Sequence, residues 1–187
     1  ARRYRDELGV DVYLGSARFT GRRTVDVEGS ELRFSRAVIA TGARASALPV
    51  PGLADLAHLT NETVFSLTVR PERMAVIGGG PIGCELSQAF QRLGTQVTLL
   101  EMMPQVMGRE DPDAARIVEG ALRADGVRIE LEARLGGVDA VPQGKRLRYE
   151  LAGETRELLV DEILVGVGRS PNVEGLDLEA GGVEYDG

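Results

Sequence analysis

Three glycines, Gly78, Gly80 and Gly83, have the clearest chemical use in this sequence. They lie in M-A-V-I-G-G-G-P-I-G-C-E-L, residues 74–86, and fit G-x-G-x-x-G. Each has its own task. Gly78 lets the chain turn sharply from strand to helix. Gly80, lacking a Cβ, lets a pyrophosphate approach the backbone, and Gly83 lets the helix lie close on the strand. Pro81 and Ile82 open that helix, whose first N–H groups have no partner inside it and offer donors and positive potential to an anion. Glu101 stands 23 residues after Gly78, at the end of the next apolar run. A carboxylate there accepts hydrogen bonds from the adenosine ribose hydroxyls and repels a 2′-phosphate, which points to NAD(H) over NADP(H). The competing reading is a tight glycine turn with no ligand, since the chain has 24 glycines. A preceding strand, a helix opened by proline and a distal acid all coincide here, and they favour the nucleotide site.

Other reactive residue types carry less. Glu85 falls in the first helical turn, where the helix dipole favours an acid whether or not it has a ligand. Cys84 sits near a helix N-terminus, which lowers a thiol pKa, but disulfide redox chemistry needs two thiols and the chain has one cysteine. It reads as a packed, inert thiol. His58 has no partner motif. Met102, Met103 and Met107 read as packing residues in a loop rather than as metal ligands. With one His and one Cys in the chain, no metal site and no catalytic residue is assigned.

The elements that position the glycine motif follow from periodicity. Arg73–Ile77 is a short apolar strand without alternation, as in a parallel strand buried on both faces. Ile82, Leu86, Ala89, Phe90 and Leu93 mark a helical face that Gly94 ends. Gln96–Leu100 is the next strand. A second helix starts at Asp111-Pro112, presents Ala114, Ile117, Val118, Ala121 and Leu122, and ends at Gly126. The fold class is therefore α/β, a Rossmann-like doubly wound parallel sheet with a three-stranded antiparallel meander. Upstream, Val10–Leu14, Thr24–Val27, Leu32–Phe34 and Ala37–Ala40 read as strands, with a hairpin turn at Glu28-Gly29-Ser30. Leu48-Pro49-Val50-Pro51-Gly52 reads as a linker, because two prolines lack N–H groups.

A repeat links the two halves. From Gly9-Val10 a β-rich stretch leads to V-I-A-T-G-A-R-A-S-A-L-P-V-P-G-L at 38–53. From Gly126-Val127 a similar stretch leads to I-L-V-G-V-G-R-S-P-N-V-E-G-L at 163–176. The second half is preceded by a glycine-rich nucleotide motif and the first is not. The charged opening over Ala1–Gly9, and the stop at Gly187 after a strand and turn over Val183–Gly187, read as the ends of a fragment. The net charge of −7 disfavours nucleic acid as a partner. No apolar run reaches membrane-spanning length, so a cytoplasmic protein is expected.

V-I-A-T-G-A-R-A-S-A-L-P-V-P-G-L, V-I-G-G-G-P-I-G-C-E-L-S-Q-A-F-Q-R-L-G-T-Q-V-T-L-L-E and I-L-V-G-V-G-R-S-P-N-V-E-G-L, in this order and over nearly the whole chain, resemble the pyridine nucleotide-disulfide oxidoreductases, the flavoprotein family of dihydrolipoamide dehydrogenase, glutathione reductase and mercuric reductase. The stretch L-T-N-E-T-V-F-S-L before G-G-G-P-I-G-C-E-L-S-Q-A-F looks most like mercuric reductase. The resemblance implies the C-terminal part of a FAD domain at 1–48, with Thr41 and Gly42 near the flavin, and a linker at 49–66. It further implies an NAD(P)-binding domain at 67–170 and a return segment at 171–187. Gly78, Gly80, Pro81, Ile82 and Gly83 match the pyrophosphate loop, Glu85 the acid beside the nicotinamide ribose, and Gly168 the turn near the nicotinamide. The intact protein would use FAD, pass hydride from NAD(P)H to flavin and on to a disulfide or metal acceptor, and form a homodimer. This chain would be inactive alone: it lacks the N-terminal FAD glycine motif and the paired cysteines. Glu101 departs from the Arg-bearing pattern of NADPH-specific members. Dihydrolipoamide dehydrogenase, a relative without the redox disulfide such as an NADH oxidase or peroxidase, and a non-enzymatic nucleotide-sensing module are the rival readings.

Overall fold

Met74-Ala75-Val76-Ile77, four apolar residues without interruption, read as a strand covered on both faces. The computed structural model describes residues 2–185 and puts this strand at the centre of a parallel sheet. In chain order the elements are α1 (Arg2–Asp6), β1 (Ala17–Gly21), β2 (Thr24–Val27), β3 (Ser30–Arg33), β4 (Ala43–Ala45), β5 (Arg73–Ile77), α2 (Pro81–Arg92), β6 (Gln96–Leu100), α3 (Pro112–Ala124), β7 (Arg128–Glu130), β8 (Arg134–Val141), β9 (Gly144–Leu151), β10 (Glu154–Val160), β11 (Glu162–Val165) and β12 (Arg169–Pro171). They form two compact units, one built from Ala45–Ser170 and the other from the residues on either side of it.

In the central unit the sheet order is β11-β5-β6-β7, all parallel. Ile77 pairs with Val165 on one side and Leu100 on the other, so three strands end level with one another. Side chains alternate along each strand, as the pleat requires. Met74, Val76, Val97, Leu99 and Leu164 enter one core, which also holds Cys84 of α2 and Leu122 of α3. Ala75, Ile77, Leu100, Ile163 and Val165 enter the other, closed by Val138, Leu147, Tyr149 and Val160 of the antiparallel meander β10-β9-β8. The fold is thus α/β, with helices on one face of a parallel sheet and a three-stranded meander on the other. Fully buried Leu99, Leu147 and Leu164 each contribute about 1.5–3 kcal/mol by leaving water. Leu48–Gly52 forms no helix or strand. Its Pro51 carbonyl accepts the Val138 N–H at 2.9 Å, a role a proline can fill without an N–H of its own.

The helical faces differ from the expected ones. On α2, Gly83, Cys84 and Ser87 are buried. Leu86 and Phe90 pack at the flank, Ala89 is exposed and Leu93 is 67% exposed. The helix turns its smallest side chains to the sheet, so its backbone approaches closely and the larger apolar groups flank the contact. On α3 the buried residues are Ala115 and Leu122, while Ile117 is 74% exposed. The apolar stripe is turned by one residue from the one read in the sequence.

In the flanking unit, β1, β2 and β3 form an antiparallel sheet. Glu28 and Gly29 both take left-handed backbone angles, φ 50° and 86°, as a two-residue hairpin turn requires. Phe19 and Phe34 meet edge to face at 6.0 Å. Three expected strands do not form. Val10–Leu14, Ala37–Ala40 and Val183–Tyr185 are irregular, because no neighbouring strand among the described residues supplies the hydrogen-bonded partner an extended segment needs. The Val10 N–H instead donates to the Tyr4 carbonyl at 3.0 Å. The last two residues of the expected 183–187 element lie outside the described residues.

Candidate nucleotide-binding site

β5, β6 and β11 bring three turns together at their carboxyl ends, where open α/β sheets take ligands. The turn after β5 is the glycine loop. Gly78 has φ +100°, and a Cβ on it would lie 2.7 Å from the Gly166 carbonyl oxygen, in the turn after β11. A Cβ on Gly83 would lie 1.9 Å from the Gly78 carbonyl oxygen. No side chain fits either gap, so both glycines are fixed by close backbone approach. Gly80 is different: nothing lies within 4 Å of where its Cβ would be. It is also the N-cap of α2, and no side chain caps the helix. Pro81 follows at the first helical position, which its missing N–H suits. The start of α2 therefore offers N–H donors and dipole potential to an open space.

Glu101, directly after β6, reaches back to this loop. One carboxylate oxygen accepts the Gly79 N–H at 2.5 Å, and the other accepts the Met103 N–H at 2.7 Å. Each oxygen keeps a lone pair, since a carboxylate has about four acceptor positions. The Gly79 carbonyl in turn accepts the Met107 N–H at 2.7 Å and the Cys84 thiol at 3.2 Å. Met107 holds a left-handed φ of 52° to do so. Val106, in the same loop, is fully buried. The Gly79 peptide is therefore held from both sides, and the loop after β6 is fastened to the glycine turn.

Cys84 is 5% exposed, and burial first, then the charges of Glu101 and Glu85, push its thiol up to about 11. The packed-thiol reading fits this environment. The Glu85 side chain is exposed and makes no hydrogen bond or ion pair among the described residues. His58 is half-buried, with Nδ1 3.0 Å from the Leu56 carbonyl. Two of the three methionines depart from the packing role read in the sequence. Met107 packs against the helix-side core, but Met102 and Met103 are 70% and 44% exposed, because the loop turns outward after Glu101. Gly168 has φ +127°.

In the flanking unit, Thr41 and Gly42 are tied to Asn172. The Thr41 hydroxyl donates to the Asn172 carbonyl at 2.7 Å and the Asn172 amide donates to the Thr41 carbonyl at 3.0 Å. The Asn172 N–H donates to the Gly42 carbonyl at 3.0 Å. Arg44 binds both carboxylate oxygens of Glu174, and that guanidinium holds the Glu174 carboxyl below its ordinary value. The sequence reading missed Gly79, Gly166, Met103, Met107 and Asn172. Gly79 was visible as the middle member of a glycine run. The others act through backbone groups or a single amide and leave no residue-type signal.

No helix among the described residues is long and apolar enough to cross a membrane. A mercuric reductase of Lysinibacillus sphaericus is 36% identical over 179 residues, covering 96% of this chain and 33% of that protein. A dihydrolipoyl dehydrogenase of Thermus scotoductus is 36% identical over 182 residues, covering 95% of this chain and 39% of its own length. The HOCl-induced flavoprotein disulfide reductase RclA from Escherichia coli superposes with a TM-score of 0.82 at 27% identity, over 99% of this chain and 42% of that one. The chain thus spans between a third and about two fifths of the length of these relatives. The family described as pyridine nucleotide-disulphide oxidoreductase matches residues 2–187, and the chain belongs to it.

Proposed function

We propose that this chain is the nicotinamide-nucleotide-binding part of a FAD-dependent oxidoreductase of the mercuric reductase kind, and that the central unit takes NAD(H) in preference to NADP(H). One observation carries the reading: α2 begins without a side-chain cap over the open space at Gly80, while Glu101 is already anchored beside that space. The residues fit a dinucleotide. Gly78 and Gly83 shape the turn, Gly80 leaves room for a pyrophosphate, and the N–H groups after Pro81 and Ile82 face it. Glu101 receives ribose hydroxyls on its remaining lone pairs. Glu85 and Gly168 serve the nicotinamide end. In the flanking unit Thr41 and Gly42 fit a flavin: a Cβ on Gly42 would meet only the Asn172 amide, at 3.9 Å. Bound there, a nicotinamide would supply hydride for a flavin, and the electrons would go on to a disulfide or a metal ion. This chain contributes binding and orientation, and its buried Cys84 takes no part in that transfer. The whole protein is expected to be a cytoplasmic homodimer.

The test is calorimetric titration of NADH and NADPH into the chain and into Glu101→Ala. A hydrogen bond to a charged acceptor is worth roughly 1.5–3 kcal/mol. A carboxylate facing a phosphate near a surface costs on the order of a few kcal/mol per charge pair before screening. Arg109, exposed and paired with no acid among the described residues, is a cation of the same loop that works against this preference. The expected result is a preference of about tenfold or more for NADH that disappears in the variant. Equal affinities in the parent chain, or an unchanged ratio in Glu101→Ala, would refute it.

A further inference from the structure

The chain has five sulfur-bearing side chains, Cys84 and Met74, Met102, Met103 and Met107. Met74 and Cys84 are buried, at 0% and 5% exposure, and Met107 is packed against the helix-side core. Only Met102 and Met103 stand open to solvent, and both follow Glu101 directly in the chain. We propose that Met102 and Met103 form an oxidation site, and that converting their thioethers to sulfoxides weakens nucleotide binding. This rests on the reading of Glu101 as the ribose acceptor.

The oxidant class is a peroxide. A sulfur lone pair attacks one peroxide oxygen, an S–O bond forms and the O–O bond breaks. The sulfur loses two electrons, the transferred oxygen sheds its proton, and the departing hydroxide takes up a proton to leave as water. The competing target is shielded: the Cys84 thiol, at about 11, holds little of the reactive thiolate near neutral pH.

The consequence follows from what Met103 touches. Its N–H donates to one carboxylate oxygen of Glu101, and its carbonyl accepts the Glu132 N–H at 3.1 Å. Its Cγ lies 3.6 Å from where a Cβ on Gly108 would stand, so the side chain runs along its own loop. A sulfoxide is polar and chiral where the thioether was apolar. It favours water over that loop backbone and loosens the amide that aims Glu101. The same loop carries the Met107 N–H that holds the Gly79 carbonyl, so the disturbance reaches both sides of the phosphate turn.

The experiment treats the full chain with hydrogen peroxide, removes the peroxide with catalase, maps oxygen addition by peptide mass spectrometry and titrates NAD+ calorimetrically. Oxygen is expected on Met102 and Met103 before Met74 or Cys84, with Kd for NAD+ raised about tenfold. Methionine sulfoxide reductases should restore the Kd. In a Met102→Leu, Met103→Leu chain the ratio of Kd after treatment to Kd before should return to near one. Binding that is unchanged with both sulfoxides present, or equally weakened in the double variant, overturns the proposal alone. An untreated chain that takes up no NAD+ overturns the nucleotide reading and this proposal with it.

Discussion

Both helices on the helical face of the parallel sheet have a proline at their first turn, yet their starts are satisfied differently. At α3 the Asp111 side chain accepts the Asp113 N–H at 2.8 Å, so a side chain of the protein meets one of the orphan donors. At α2 the N-cap is Gly80 and no side chain fills that role. The glycines inside the two helices differ as well. A Cβ on Gly83 of α2 would strike backbone, whereas a Cβ on Gly120 of α3 would meet nothing within 4 Å. One helix is pressed against the turn below it with its start left open; the other is capped, and its interior glycine faces solvent. A helix end without a side-chain cap, on an otherwise tightly fixed turn, is what the proposed nucleotide site calls for.

The largest effect expected from breaking this comparison is Gly83→Val. The first added carbon already lies 1.9 Å from the Gly78 carbonyl oxygen, so the helix must lift off the turn. Overpacking of this kind costs about 1–3 kcal/mol, and nucleotide binding should be lost with the displaced turn. Thermal melting and NAD+ titration check both; a variant that melts and titrates like the parent removes Gly83 from the contact. Gly80→Ala separates binding from folding. Its φ of −71° suits any residue, and its Cβ meets open space. The variant should melt with the parent and bind NAD+ about tenfold or more weakly. Equal affinity would mean that the pyrophosphate does not approach Gly80.

This contrast explains what was legible in the sequence. Strands β5 and β6, the start of α3 at Asp111 and the glycine turn were all readable, because each is set by residue type at fixed spacing. The helical faces were not. Periodicity located an apolar stripe on α2, but Gly83, Cys84 and Ser87 form the buried face because closeness, not hydrophobicity, decides which side meets the sheet. The expected strands at Val10–Leu14 and Ala37–Ala40 had the right composition but lacked a paired neighbour. The anchoring of Gly79 by Glu101 and Met107 was invisible because the groups they engage are backbone groups, which every residue carries.

Asp111→Ala tests the capped helix. Losing the cap should cost about 1 kcal/mol and leave NAD+ affinity unchanged, since α3 starts beyond the loop that grips Gly79. A binding defect as large as that of Gly80→Ala would show that the two starts are coupled through residues 102–110, and the separation drawn between them would fail.

The smallest effect is the one whose sign is most informative. Gly120→Ala and Gly83→Ala make the same chemical change in neighbouring helices. In a helix interior alanine is favoured over glycine by about 0.8–1.0 kcal/mol, because glycine gives up more backbone freedom on folding. At Gly120, exposed and with no atom near the added carbon, nothing opposes that gain, so the variant should melt higher than the parent by close to this amount. At Gly83 the same gain is set against a backbone collision at 1.9 Å, and the net change must be a loss. Urea or thermal unfolding of both variants gives the two signs directly. If Gly83→Ala were also stabilising, α2 could move away from the turn at no cost, and close helix–turn packing would not define the site. If Gly120→Ala were destabilising, α3 would be seated more tightly than its open surroundings indicate, and the two helices would differ in capping alone.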